Sequence, residues 1–314
     1  MRVLVAGATG AIGRPLLPRL LAAGHEVTAL TRSEARAAPL RETGAAPVIG
    51  DALDVESVGR AVREAATEVI VHQLTALPER FDFKNPDLYT ATNRLRTEGT
   101  RNLLSAAREA GTKRFVCQSI AFAYEPSGGM IKSESDPLMR DAPGLFGSAV
   151  RALSEMESMV AGAEGIDGIV LRYGFFYGPG TYYDHGGSVA SDTLKRRMPV
   201  VGKGGGLSSF VHVEDAADAT VVAVEHGAAG TFNIVDDEPA AMKDWLPVYA
   251  RALGAKKPLR VPVLVARLVA GKEVAALATQ TRGASNEKAK RELGWRPAHP
   301  SWRQGVAEAL SRPR

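Results

Sequence analysis

The sequence predicts an α/β fold in which helices cover both faces of a parallel β-sheet. A short apolar strand at residues 3–5 leads into a glycine-rich turn and an amphipathic helix. Predicted strands and helices then alternate as far as about residue 172. The strands are continuous apolar runs, which is typical of strands buried on both faces. Together these features predict a Rossmann-type, doubly wound parallel sheet.

The first thirty residues supply the clearest unit, a strand, a turn, a helix and a second strand. The turn is GATGAIG at residues 7–13, and the helix after it places leucines 16, 17, 20 and 21 on one face. Gly24 ends this helix, and residues 25–30 form the second predicted strand. Such a unit is a complete βαβ crossover.

The alternation continues along the chain. Further strands are predicted at residues 46–49, 68–74, 114–119 and 168–172, and helices at residues 55–65, 88–110 and 145–163. Strands separated by helices imply right-handed crossovers and one parallel sheet. After Gly174, loops rich in glycine and proline dominate, although residues 210–213 and 231–235 still have strand character.

Composition excludes several classes of protein. The chain has 314 residues, of which 45% are hydrophobic and 24% charged, so neither disorder nor a coiled coil is expected. A single cysteine, Cys117, excludes an intramolecular disulfide framework and a cysteine-built metal centre. No spacing of histidines and carboxylates suggests a metal ligand set, so we predict no metal.

Targeting and charge patterns predict a cytoplasmic protein. The N-terminus lacks the pattern of a signal peptide, and charges at Arg267, Lys272 and Glu273 interrupt the longest apolar stretch. We therefore expect no membrane association. The net charge of +4 comes from scattered Lys and Arg residues, so no nucleic-acid partner is expected either.

Gly7, Gly10 and Gly13 stand between the first strand and its helix. Glycine permits a tight turn and close approach of a pyrophosphate to the backbone, while the helix N-terminus offers free N–H groups. The flanking strand and helix are the context that this pattern requires. We therefore predict a dinucleotide cofactor at this turn.

The end of the second strand predicts which dinucleotide binds. A carboxylate there would bind a ribose 2′-hydroxyl, whereas an arginine accommodates a 2′-phosphate. The chain has Thr31, Arg32 and Ser33, with no acid before Glu34, which favours NADP(H) and leaves NAD(H) as the alternative. Asp51, after the third strand, faces the adenine or caps a helix.

These patterns predict two regions. Residues 1–174 form the dinucleotide-binding Rossmann domain, to which strands return near residues 208–237. Residues 175–207 and 238–314 form a smaller C-terminal substrate-binding lobe on the carboxyl edge of the sheet.

Several segments together resemble one family. They are GATGAIG, EGTRNLLSAAREAG, RFVCQS, LRYGFFYGPG, FVHVEDAADA and ELGWRP. The chain resembles the extended short-chain dehydrogenase/reductases, also called NAD-dependent epimerase/dehydratases. The resemblance implies that cofactor contacts fall, in chain order, at Gly7, Thr9, Gly10, Ile12, Gly13, Arg32, Asp51, Ala52, Leu74, Thr75, Tyr173, Gly174, Phe175 and Phe176.

The catalytic residues of that family do not transfer to this chain. Its hydride-transferring members carry Tyr-x-x-x-Lys, and none of the seven tyrosines here has a lysine four residues later. The tyrosine and lysine positions fall on Phe146 and Val150. The serine position falls on Ile120, and the asparagine that supports the lysine falls on Arg96.

Replacement groups are sought in nearby loops. Tyr124 is the predicted proton donor, Lys132 its neighbouring cation, and Ser119 the group that polarises the substrate. Each has an alternative structural interpretation, as loop packing, a solvated lysine and a strand end. Tyr177 is a further candidate acid, and His72 and His212 are interpreted as core histidines.

The leading functional hypothesis is an NADP(H)-dependent oxidoreductase of the epimerase/dehydratase type. Its substrate would be a small carbonyl, hydroxyl or sugar-like molecule bound between the sheet edge and the C-terminal lobe. The alternative is a non-catalytic dinucleotide sensor that has lost the proton-transfer groups. The helices near residues 88–110 and 145–163 leave a homodimer open.

Overall fold

A computed structural model describes residues 1–311. Its centre is a seven-stranded sheet in which every pairing is parallel. In chain order the strands are Arg2–Ala6, Glu26–Thr31, Ala46–Ile49, Val69–His72, Arg114–Ile120, Asp167–Tyr173 and Gly230–Ile234. Their spatial order is third, second, first, fourth, fifth, sixth and seventh. The strand order therefore reverses between the first and fourth strands, where ligands bind in such sheets.

Helices cover both faces of the sheet. The larger ones are Gly13–Ala22, Glu34–Glu42, Val55–Glu64, Thr100–Ala110, Gly144–Ala161 and Val213–His226. Side chains of the first strand alternate between the two faces, as the pleat requires. Val3 and Val5 belong to one hydrophobic cluster, and Leu4 and Ala6 belong to the other. The sheet is thus buried on both sides, which explains its continuous apolar strands.

A smaller lobe lies beyond the carboxyl edge. Its helices are Ser188–Leu194, Met242–Ala252, Val263–Ala270, Lys272–Gln280 and Trp302–Ser311. An aromatic cluster that includes Phe210, Trp245, Tyr249 and Trp302 forms its core. Short strand pairs tie the lobe to the loops of the main sheet, for example Phe210–His212 with Phe175–Tyr177. Within residues 1–311, no helix is both long and apolar enough to cross a membrane.

The α/β fold predicted from the sequence is confirmed, although several elements differ from prediction, among them the following two. The helix Glu34–Glu42 was not predicted, although a crossover between the second and third strands requires one. The helix predicted over residues 88–110 contains a π-helical turn at Leu95–Gly99 between Thr90–Arg94 and Thr100–Ala110. The assignment of residues 175–207 and 238–314 to a substrate-binding lobe stays a prediction.

Candidate active site

The glycine-rich turn lies against the end of the fourth strand. Gly7 has φ +101°, and a Cβ built on it would lie 2.6 Å from the carbonyl oxygen of Gln73. A Cβ on Gly13 would lie 2.4 Å from the carbonyl oxygens of Gly7 and Ala8. A Cβ on Gly10 meets only the Gly7 oxygen, at 3.2 Å, and its outer side is exposed.

This arrangement fits a dinucleotide. Two of the glycines are required by the protein's own packing, whereas Gly10 and the exposed Thr9 face open space. The buried Ile12 precedes the helix Gly13–Ala22, whose first turn contains no acidic residue. A helix N-terminus without a carboxylate keeps its N–H groups and its positive dipole end for an anion.

Arg32 and Asp51 follow neighbouring strands on the same edge. Arg32 is exposed, and no residue within 1–311 binds its guanidinium. Asp51 accepts a hydrogen bond from the Leu53 backbone N–H at 2.9 Å. The cap of the helix Val55–Glu64 is Asp54, which accepts from Ser57 N at 3.0 Å. Asp51 is therefore not the helix cap. The prediction that it faces the adenine of the cofactor remains.

The other predicted cofactor residues lie at the ends of the third, fourth and sixth strands. Ala52 is buried, while Leu74 and Thr75 are half-buried. Tyr173 is buried with its hydroxyl 2.7 Å from Thr220 Oγ1, and burial raises its pKa, so it stays a neutral phenol. Gly174 is buried, whereas Phe175 and Phe176 after it are half-buried. These positions share one edge of the sheet, and their contacts to a cofactor stay predictions.

The sequence analysis missed a buried ionic network behind the fifth and sixth strands. Arg172 and Glu157 form two hydrogen bonds, Nε to Oε1 at 2.9 Å and Nη2 to Oε2 at 2.6 Å. Ser119 donates from its hydroxyl to Glu157 Oε1 at 2.6 Å. All three side chains are buried, so the pair is shielded from water and satisfied by planar bidentate geometry.

Tyr124 belongs to the same network. Its side chain is 1% exposed, and its hydroxyl donates to Asn233 Oδ1 at 2.7 Å and accepts from Arg172 Nη1 at 2.9 Å. Burial raises the pKa of Tyr124 to about 12, with Arg172 and Asn233 opposing the rise. The phenol therefore has two protein partners that hold the sixth and seventh strands together.

Lys132 does not bind Tyr124. Its ammonium group donates to Ser127 O at 2.5 Å and to Asp136 Oδ1 at 3.1 Å, and its side chain is buried. The predicted trio of Tyr124, Ser119 and Lys132 thus divides into a buried network and a separate loop contact. Their role in proton transfer stays a prediction, and each has a structural role in the fold.

Apolar side chains lie just after the fifth strand and at the family's tyrosine and lysine positions, Phe146 and Val150. Phe122, just after the fifth strand, stacks on Phe175 with ring centroids 4.1 Å apart and planes 12° apart. Phe146 and Val150 are buried on the helix Gly144–Ala161. Sequence analysis missed Phe122, because its partner Phe175 lies far along the chain.

A cavity of about 570 Å³ borders Phe146 and runs under the helix Lys272–Gln280. This volume suits a small molecule. Charged residues also line the cavity, but most of its wall is apolar and is formed by Pro126, Met139, Ala142, Pro143, Phe146, Ala276 and Leu277.

The two histidines singled out from sequence are core residues, as predicted. His72 is buried, lies with Nε2 3.1 Å from Thr100 Oγ1, and accepts from Leu74 N. Burial lowers the pKa of His72 to about 4, which keeps the ring neutral. His212 is buried, accepts from Glu214 N and stacks on His299 at 4.0 Å between ring centroids.

Comparison with known proteins finds a matching family and relatives that are named as reductases. The model of the NAD-dependent epimerase/dehydratase family matches residues 3–235. The chain is 48% identical to the 3-diazoavenalumate denitrifying reductase of a Streptomyces species, over 98% of this chain and 99% of the relative. It is 27% identical to a dihydroquinoline-oxide ketoreductase of Stigmatella aurantiaca, over 94% and 92% of the two chains.

Solved structures share the same architecture. The UDP-glucose 4-epimerase of Thermus thermophilus, in complex with NAD, superposes with a TM-score of 0.74 at 26% identity. The match covers 99% of this chain and 98% of the epimerase. The relatives are named as reductases and epimerases, which favours an enzyme over the sensor hypothesis. The chain belongs to the NAD-dependent epimerase/dehydratase family and is an NAD(P)-dependent oxidoreductase or epimerase.

Proposed function

We propose that the protein is an NADPH-dependent reductase that replaces the diazo group of an aromatic acid with hydrogen and releases dinitrogen. The name of the 48% identical Streptomyces relative describes a diazo-substituted acid anion whose nitrogen is removed by reduction. That match extends over nearly the whole of both chains, including the candidate site.

The observation that carries the proposal is the apolar pair Phe146 and Val150 on the helix that borders the cavity. Reduction of a carbonyl needs a proton donor for the developing alkoxide. Reduction of an arenediazonium carbon does not. A carbon–hydrogen bond forms there as the carbon–nitrogen bond breaks, and the bonding electron pair leaves with dinitrogen. The carbon is reduced by two electrons, and no proton is taken up.

NADPH, when bound, supplies the hydride, and the protein's contribution is to hold and orient the reactants. The open side of Gly10 and the exposed Arg32 support binding of the pyrophosphate and the 2′-phosphate. Phe122 and Phe175, which are half-buried and stacked on each other, support packing of an aromatic substrate beside them. Apolar walls also exclude water, which would otherwise compete for a diazonium carbon.

Reduction of a carbonyl group is the second candidate. It is supported by the name of the ketoreductase relative and by the phenol of Tyr124 near the carboxyl end of the fifth strand. Tyr124 would then have to break the hydrogen bond that its hydroxyl donates to Asn233 Oδ1 before it could donate a proton to the substrate. An arenediazonium substrate requires no such rearrangement.

The test uses NADPH deuterated at the transferred position together with 3-diazoavenalumate. We expect oxidation of the cofactor, release of dinitrogen, and one deuterium at the ring carbon that carried the diazo group. A panel of ketones and UDP-glucose serves as comparison. Turnover of a panel member with no loss of diazo compound would refute the proposal. Deuterium that enters the ring from solvent instead would equally count against hydride transfer.

A further inference from the structure

Arg96 is a buried cation without a counter-ion in the described chain. Its side chain is 6% exposed. Within residues 1–311 its one hydrogen bond runs from Nη1 to Asn93 Oδ1 at 3.5 Å, and no carboxylate there lies within ion-pair distance. Burial lowers its pKa to about 10, so the guanidinium is still charged at neutral pH.

Arg172 is a buried arginine whose guanidinium has both a counter-ion and hydrogen-bond partners in this fold, so it serves as a comparison for Arg96. It is equally buried at 6% exposure, but it binds Glu157 through two nitrogens and Tyr124 through the third. A guanidinium has five N–H donors, and burying the charge without an anion is strongly disfavoured. Arg96 thus keeps donors that the described protein groups leave unused.

The position of Arg96 places these donors beside the candidate site. Its neighbour Asn93 donates to Ser148 Oγ at 3.4 Å, on the helical turn between Phe146 and Val150. The positive charge of Arg96 also acts on His72, at the end of the fourth strand. Arg96 lies in the π-helical turn Leu95–Gly99, and such turns occur frequently at functional sites.

A phenol accompanies the cation. Tyr89 is buried against Ala149, one residue before Val150, and no group within residues 1–311 forms a hydrogen bond with its hydroxyl. Burial raises the pKa of Tyr89 to about 12, and the charge of Arg96 opposes that rise. Arg96 and Tyr89 therefore bring together a fixed positive charge and a neutral hydroxyl donor, which is a suitable pair for an anionic oxygen.

We propose that Arg96, with Tyr89 beside it, binds an anionic oxygen of the substrate, a carboxylate or a phenolate on the aromatic molecule. The inference rests on the proposed function for the substrate class. The anionic groups of the cofactor are the other source of such an oxygen. The glycine-rich turn and Arg32 already offer binding groups for them, so the substrate is the favoured source.

The test measures binding rather than turnover, with 4-hydroxycinnamate as a stable aromatic acid, its methyl ester, and its 4-methoxy analogue. With NADP⁺ present, the protein should bind the parent acid at least about ten-fold more tightly than whichever analogue lacks the recognised anion. Arg96→Gln should remove this difference and change the affinity for NADP⁺ less than about two-fold. Arg96→Lys, which keeps the charge, should retain part of it and serves if Arg96→Gln fails to fold.

Arg94→Gln is the matched control, because Arg94 is exposed on the same helix and pairs with Glu98. It should leave every affinity unchanged. If Arg96→Gln weakens NADP⁺ binding about ten-fold and keeps the preference for the acid, the guanidinium serves the cofactor and the inference is wrong. Equal binding of acid and analogues by the unaltered protein also overturns it. Acid binding without reduction of a diazo compound would instead overturn the proposed function alone.

Discussion

Arg32 is an exposed arginine at the end of the second strand with no partner within residues 1–311. Because a charge-assisted hydrogen bond contributes about 1.5–3 kcal/mol, we expect NADPH to bind at least about ten-fold more tightly than NADH. Arg32→Ala should remove most of that preference in a calorimetric titration. Arg41→Ala, on the following helix and paired with Glu34, should preserve it. Equal affinities in the unaltered protein would disprove NADP(H) selectivity.

A substitution at Gly10 should affect cofactor binding far more than folding. Its added Cβ would meet only one backbone oxygen, at 3.2 Å, whereas Gly7 and Gly13 have no room for one. Gly10→Val should therefore abolish binding of NADPH while the melting temperature falls by only a few degrees. Gly205→Val, at an exposed glycine with open space around it, is the control and should bind normally. A Gly10→Val protein that titrates like its parent would show that the cofactor lies elsewhere.

Tyr124→Phe distinguishes the two functional candidates. The variant keeps the ring but removes the hydroxyl between Asn233 and Arg172, so stability should fall by about 1–3 kcal/mol in urea unfolding. If no proton donor is needed, turnover of the diazo substrate by the folded variant should stay within about three-fold of the parent. A loss of about 10²–10⁴-fold would instead make Tyr124 the general acid predicted from sequence.

At the scale of elements, the sequence predicted best those elements that a local residue pattern specifies by itself. The strand Ala46–Ile49 and the glycine-rich turn follow from local apolar runs and glycine spacing, and both occur where predicted. The helix Glu34–Glu42 was missed because it buries only Ala37 and Leu40 and contains Pro39. Its crossover position, rather than its own sequence, specifies it.

The candidate site was only partly predictable, because several of its partners are remote in sequence. Tyr124 and its partner Asn233 are more than a hundred residues apart, and Phe122 stacks on Phe175, which lies in the strand Phe175–Tyr177. Pairings between strands bring these residues together, and no local pattern reports them. Arg96 was noticed as a mismatch to the family, but its burial without a counter-ion required the three-dimensional arrangement.

Glu273 connects the two helices beside the cavity, Lys272–Gln280 and Gly144–Ala161. Its carboxylate accepts from Leu145 N at 3.0 Å and Phe146 N at 3.2 Å, at the positive end of the helix Gly144–Ala161. Glu273→Ala should therefore lower the free energy of unfolding by about 1 kcal/mol and weaken binding of an aromatic ligand. Glu287→Ala, at an exposed glutamate, is the control. Urea unfolding checks the first effect, and unaltered stability would show that the cap is dispensable.

At the scale of the whole molecule, Asp236 connects the main sheet to the smaller lobe. It lies just beyond the seventh strand. Its Oδ2 accepts from Trp302 N at 2.8 Å and its Oδ1 from Glu238 N at 3.2 Å, which connects the sheet to the helix Trp302–Ser311. Burial raises the pKa of Asp236 from 3.8 to about 8, since the hydrogen bonds from Glu238 and Trp302 only partly oppose the loss of hydration. The folded state therefore holds a proton that the unfolded state has released.

This raised pKa predicts how stability depends on pH. Because the native state binds the extra proton between about pH 4 and pH 8, this contribution is complete below about pH 4. It decreases as the pH rises through about 8, where the native carboxyl ionises as well. Asp236→Asn cannot ionise, so its unfolding free energy should fall less steeply than that of the parent between about pH 5 and pH 8. Urea titrations at each pH measure both curves, and groups common to the two proteins cancel in their difference. Parallel curves would show that Asp236 ionises alike in the folded and unfolded chains.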